Sequence, residues 1–186
     1  MKRIFTTFSL IAMSLPLLVA CNQQQEEAPA PAPREATTAA APPDALTEGS
    51  SVLVFSPYQA PASVAVGGNC ALDAIDGHPA AGSVLSADSD ATFGGWAATP
   101  QGQVPDANSG AVLILSSSEA AYSVPLVAGG DRPDVAAALN NPALAKSGFN
   151  IVTSLDDVKP GDYAVSVGFP GEPAMACQFN QTVTVK

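Results

Sequence analysis

The chain has 186 residues, with 17 acidic side chains against 7 basic ones and a formal net charge of −10. That balance excludes the clustered Lys and Arg that phosphate backbones demand, so no nucleic-acid partner is expected. It equally excludes a basic patch for anionic membrane surfaces; net negative charge of this size chiefly keeps a domain soluble.

In chain order, Lys2 and Arg3 open the sequence and an apolar run follows from Ile4 to Val19. The run falls short of the roughly 20 apolar residues needed to cross a bilayer, and Pro16 and several hydroxyl residues interrupt it. It reads as a signal peptide over residues 1–20. The run ends on Leu18-Val19-Ala20-Cys21. This quartet resembles the lipobox of bacterial lipoproteins, in which a small residue precedes the cut and a thiol takes the lipid. The resemblance implies cleavage before Cys21 and acyl chains, palmitate among them, on that cysteine. Two or three chains anchor stably where one is marginal. The expected location is the cell envelope, with the membrane as first partner. Asn22 stands where aspartate favours inner-membrane retention, so the outer membrane is expected in a Gram-negative cell. Without Lys2 and Arg3, five of the 7 basic residues remain.

From Asn22 to Glu48 the composition turns to Pro, Ala, Glu and Gln, with no large aromatic residue. Such a segment buries too little apolar surface to offset its ordering entropy. Residues 21–48 are therefore expected to be a lipidated cysteine and a disordered tether. The tether reaches about 30 Å as a coil and about 80 Å when extended, and its Ala-Pro pairs favour the longer figure.

Residues 49–186 read as one domain. Strands are expected at Ser51–Phe55, Cys70–Ile75, Ala91–Ala98, Ala111–Leu115, Tyr122–Leu126, Phe149–Val152, Tyr163–Phe169 and Gln178–Val185. Pro125 pushes its strand toward an edge. Lys159-Pro160-Gly161-Asp162 has Pro and Gly where a type II turn places them. The last strand carries a register break near Gln181. One segment leaves this rhythm: Arg132-Pro133-Asp134 followed by alanines opens a helix, and Asn140-Asn141-Pro142 ends it, with a further turn through Lys146. The expected fold is an all-β sandwich of seven or eight strands with a short helical excursion over 132–145.

The order Asp76-Gly77, Gly95-Trp96-Ala97, Arg132-Pro133-Asp134-Val135, Ser147-Gly148-Phe149 and Pro160-Gly161-Asp162-Tyr163 resembles an Ig-like sandwich module of bacterial envelope and glycosyltransferase-associated proteins. The resemblance covers most of residues 70–186 and brings no catalytic role. The acid that usually follows the Gly-Trp-Ala piece is replaced here by Ala98-Thr99-Pro100.

In an exporting compartment Cys70 and Cys177 pair most simply as a disulfide, with two buried thiols as the alternative. His78, the single histidine, sits in a turn and lacks both a nucleophile elbow and fellow metal ligands. Asp88 and Asp90 supply two oxygens for calcium, fewer than a full site needs; Asp156-Asp157 reads as a cap or turn. Trp96 is either a sandwich-core anchor or a sugar-stacking platform, with Tyr58 and Tyr122 as lesser stacking candidates. Arg132 and Asp134 are either a ligand clamp or an internal ion pair. No catalytic set is present and no cofactor is expected. The resulting expectation is a non-enzymatic lipoprotein whose sandwich binds polysaccharide or protein in the envelope. Two alternatives are a glycan-acting enzyme using a carboxylate pair among Asp73, Asp76, Asp88 and Asp90, and a calcium-stabilised adhesin.

Overall fold

A computed structural model describes residues 52–186. The leader, the lipidation residue Cys21 and the tether lie outside the described residues. Alternation decides which side of each strand is buried. In Asp90–Ala98 the residues Ala91, Phe93 and Ala97 are buried, while Thr92, Gly94 and Trp96 face the other way. The same period of two sends Leu113 and Leu115 inward from Val112–Ser116, and Tyr163, Val165 and Val167 inward from Gly161–Phe169.

The strands are β1 (Leu53–Val54), β2 (Ser56–Pro57), β3 (Val64–Val66), β4 (Asn69–Ile75), β5 (His78–Pro79), β6 (Val84–Leu85), β7 (Asp90–Ala98), β8 (Val112–Ser116) and β9 (Ala121–Pro125). After the helix α1 (Pro133–Ala138) and a 3-10 turn (Pro142–Lys146) come β10 (Gly148–Ser154), β11 (Gly161–Phe169) and β12 (Ala174–Val185). One sheet runs β1-β10-β7-β4-β5; the other runs β2-β9-β8-β11-β12-β3, with β6 also on β12. Seven long strands carry the sandwich, three in the first sheet and four in the second, and the five short ones extend its edges. This is an all-β sandwich with a helical excursion at 133–146. Its core is one apolar cluster between the inner faces, with Phe55, Phe93, Leu113, Leu115, Val124, Val165 and Val167 at or below 1% exposure. Each such side chain contributes about 1.5–3 kcal/mol on burial.

Cys70 on β4 and Cys177 on β12, 107 positions apart in sequence, form a disulfide that joins the two sheets, with Cα atoms 6.2 Å apart. Two irregularities lie near it. β4 bulges between Leu72 and Ala74 against β7, and β12 shifts register against β11 between Ala164 and Ser166. The second is the break expected near Gln181. Its Nε2 donates 3.2 Å across to the carbonyl of Leu72 in the bulge, satisfying an acceptor the ladder leaves free.

The tight turn before β11 falls earlier than Lys159–Asp162. Val158 N–H donates to Leu155 O at 2.8 Å, and Asp156-Asp157 forms the turn. Gly161, at φ 157°, is extended instead of adopting the type II geometry. The reason is Tyr163, whose hydroxyl donates to Lys159 O at 2.7 Å and fixes the corner entering β11. The contact has the form of a tyrosine corner, a hydroxyl bonded back to the backbone a few residues upstream. Tyr163 is 2% exposed, packs edge-on against Tyr122, and burial raises its pKa.

The N-terminal leg ties both sheets. β1 adds in parallel to β10, while β2 pairs antiparallel with β9 and β3 pairs in parallel with β12. Since β2 and β3 sit on opposite edges of one sheet, residues 58–63 cross its outer face as a strap.

Candidate functional site

The outer face of the first sheet brings together three of the five pieces of the Gly-Trp-Ala pattern: Trp96, Arg132 to Val135, and Gly148. Trp96 projects outward because it alternates with the buried Gly95 and Ala97. It is partly buried, and it packs with Val104 against Ala98, Val135 of α1 and Leu144 of the 3-10 turn. Trp96 is therefore the floor under the helical excursion, not an anchor of the main core. The glycines flanking it earn their place sterically. A Cβ on Gly95 would run into the backbone carbonyl of Ala71 and come within 2.9 Å of the Phe149 ring. Gly148, opposite Trp96 on β10, lies against Gly130 O and Arg132 Cγ, which a Cβ would approach at 3.0 and 3.1 Å.

Arg132 enters from the start of α1 and lies across this glycine floor. Its Nη1 donates to Asp73 Oδ2 at 2.6 Å, and its Nε and Nη2 fork onto Asp134 at 2.8–3.3 Å. The hydrogen bonds from Arg132 hold the Asp134 carboxyl down at about pKa 2, and those two carboxylates raise the pKa of the guanidinium. Asp73 comes from the β4 bulge, 59 residues away in sequence. Of the two readings for Arg132 and Asp134, the geometry is the internal one: the fork is filled by the protein's own carboxylates, and the pair fastens the excursion across the sheet. A hollow of about 420 Å³ opens beside it, between Val127–Arg132 and Gly148–Asn150.

The other candidates are dispersed. His78 is exposed in β5, and Asp76 Oδ1 accepts from Thr92 N–H at 2.7 Å. Asp88 lies in a turn closed by Ser89 N–H to Ser86 O, and Asp90 opens β7. Among the described residues, no three His, Cys, Asp or Glu side chains converge to hold a metal ion. Tyr122 is buried at 5% exposure and cannot present its ring to a sugar. Tyr58 remains half-buried at the head of the strap.

The outer face of the second sheet is of a different kind, and single-chain reading gave it no attention. Register places Ala121, Ser116, Ala164 and Thr182 in one cross-strand row. The next row holds Ser123, Ile114, Ser166 and Gln178, and the third Pro125, Val112, Gly168 and Ala176. None of these twelve residues is charged. The strap covers the third row and Ile114 beside it, whose Cδ1 leans over Gly168, which is why Ile114 is only 6% exposed although it points away from the core. Between strap and sheet is an apolar hollow of about 260 Å³ that includes Tyr58, Pro61, Val112, Ile114 and Gly168. A polar hollow of about 170 Å³ adjoins it, lined by Ser116, Ser166, Gln178, Asn180 and Thr182. Among the described residues, the side chains of Ser166, Gln178, Asn180 and Thr182 make no hydrogen bond to the protein, and Ser116 makes one long contact to Ala164 O at 3.5 Å. The alternation of β8, β11 and β12 carried the signal for these outward positions, but hydroxyl and amide residues on a strand resemble any solvated face until the strands are set side by side.

Compared with known proteins, the chain matches no family description, no curated protein and no solved structure.

Proposed function

We propose that the chain is a bacterial lipoprotein, exported and acylated on Cys21, which presents a non-enzymatic Ig-like sandwich for binding at the cell envelope. The observation that carries this reading is Leu18-Val19-Ala20-Cys21 at the end of a basic start and an apolar run. The Cys70–Cys177 disulfide supports it, because such bonds persist in oxidising compartments outside the cytoplasm. The non-enzymatic part draws on the acids with the best claim to chemistry. Asp73 and Asp134 are engaged by Arg132, and Asp76 holds the backbone of Thr92.

The test is mass spectrometry of the N-terminal peptide from the membrane fraction of expressing cells. The expected result is an acylated Cys21 and a protein released to the soluble fraction by Cys21→Ser; an unmodified N-terminus overturns the proposal. Incubation with purified peptidoglycan and lipopolysaccharide is expected to release no products. Turnover abolished by Asp88→Asn or Asp90→Asn would establish the enzyme instead.

A further inference from the structure

The geometry points to the outer face of the β9-β8-β11-β12 sheet as a binding site for a neutral polysaccharide. This deepens the envelope-binding reading and rests on it for the biological setting, though not for the site itself. Three observations converge. The first is charge. The chain carries a net −10, yet none of the twelve residues in the three cross-strand rows is ionisable; the carboxylate on the row beyond them, Asp162, accepts from Thr184 Oγ1 at 2.6 Å. An anionic polymer gains nothing here and meets the field of an acidic molecule, whereas an uncharged chain is not repelled. The second is unused hydrogen-bonding capacity. Ser166, Gln178, Asn180 and Thr182 line one hollow with hydroxyl and amide groups that both donate and accept, the complement of sugar hydroxyls. The third is adjacency. The polar and apolar hollows are separate but lie on neighbouring cross-strand rows of one face, and Tyr58 and Pro61 wall the apolar one. The apolar hollow, at about 260 Å³, lies just below the size at which small-ligand clefts begin, about 300 Å³.

A sugar ring has a polar rim and apolar faces, so a site that recognises it needs both kinds of surface in adjacent places. The hydroxyl and amide cluster takes the rim, and the Tyr58 side of the groove takes a face, as amphipathic aromatic rings do elsewhere. The small residues Ala121 and Ala164 leave the surface low beside the hydroxyl and amide cluster, on the side away from the strap.

The experiment is affinity electrophoresis of the complete protein in gels containing dextran, galactomannan or soluble starch as neutral probes, and polygalacturonate as the anionic one. Retardation by at least one neutral probe and none by polygalacturonate is expected. Gln178→Ala removes an exposed side chain without touching the core and should weaken retardation about threefold to tenfold, the loss of a hydrogen bond or two. Tyr58→Ala should weaken it similarly, while Asn150→Ala, on the opposite sheet, should leave it unchanged. Retardation by polygalacturonate alone, by none of the neutral probes, or to the same extent in Gln178→Ala as in the parent overturns the inference. The Cys21 acylation assay reads separately. Acylation without glycan retardation sinks this site alone, and retardation of a non-acylated protein sinks the lipoprotein reading alone.

Discussion

The two outer faces of this sandwich are built by opposite means. On the β10-β7-β4 side, the face is closed by a helical excursion, a tryptophan floor and an arginine shared between two carboxylates. On the β9-β8-β11-β12 side, three successive rows carry no charge, Asp162 stands at their margin, and the face is covered only where residues 58–63 cross one end. The side with the more eye-catching residues spends them on itself. The side with the plainer ones leaves its hydrogen-bonding groups free. Conspicuous residue types are therefore a poor guide to where a sandwich meets its ligand, and satisfied valence is a better one.

This contrast can be tested by breaking each side in turn. The largest effect should come from the element common to both. Replacing Cys70 and Cys177 together with serine is expected to lower stability by about 2–4 kcal/mol, read by urea denaturation, and to loosen both faces at once. Gly95→Ala comes next, at about 3 kcal/mol, because the new methyl meets the Ala71 backbone, which cannot step aside. Gly168→Ala on the other face should cost clearly less, since its Cβ meets the movable Cδ1 of Ile114. Equal losses for the two glycines would show that the Gly168 face yields no more readily than the packed interior around Gly95. Trp96→Ala should cost about 2 kcal/mol and act locally, accelerating hydrogen exchange in 133–146 while the β11 and β12 amides stay protected.

The smallest effects belong to the arginine latch. Arg132→Met should move the thermal midpoint by no more than about 4 °C, as expected for ion pairs open to solvent. Its pH signature is more telling. The Asp134 carboxyl titrates at about 2 in the folded protein, below the ordinary value of 3.8. Its contribution is thus complete above pH 4 and is lost as the pH falls toward 2. Melting curves between pH 5 and 2 should show that loss in the parent and its absence in Arg132→Met.

Much of the fold was legible in the sequence. Each of the seven long strands coincides with an expected one, because alternating segments, or in Ala111–Leu115 a short continuous apolar run, set between Gly, Pro, Asn and Asp leave few other choices. The helical excursion was equally clear from Pro133 and Asn140-Asn141-Pro142. The short edge strands were not. His78–Pro79, Val84–Leu85 and Val64–Val66 have no periodicity to read, and they become strands only because a neighbour offers an unpaired edge. Trp96 was visible as a residue but not as a location. Gly94 and Gly95 blank out the alternation on which its sidedness depends. The partner of Arg132 was hidden for another reason: Asp73 reaches the outer face through a bulge that no local pattern announces. The hydroxyl and amide rows of the second sheet were least visible, since their meaning lies in the register of three strands far apart in the chain.

The strap over the second sheet has a consequence for how this sequence can vary. Its ends sit on opposite edges of a sheet with four strands between them, a width of about 24 Å. The chain from Pro57 to Val64 reaches about 25 Å when fully drawn out. A seam cut to measure tolerates added cloth but not a lost stitch: lengthening the loop at Ala60 would let it billow, whereas deleting that residue would tear β2 or β3 from its edge.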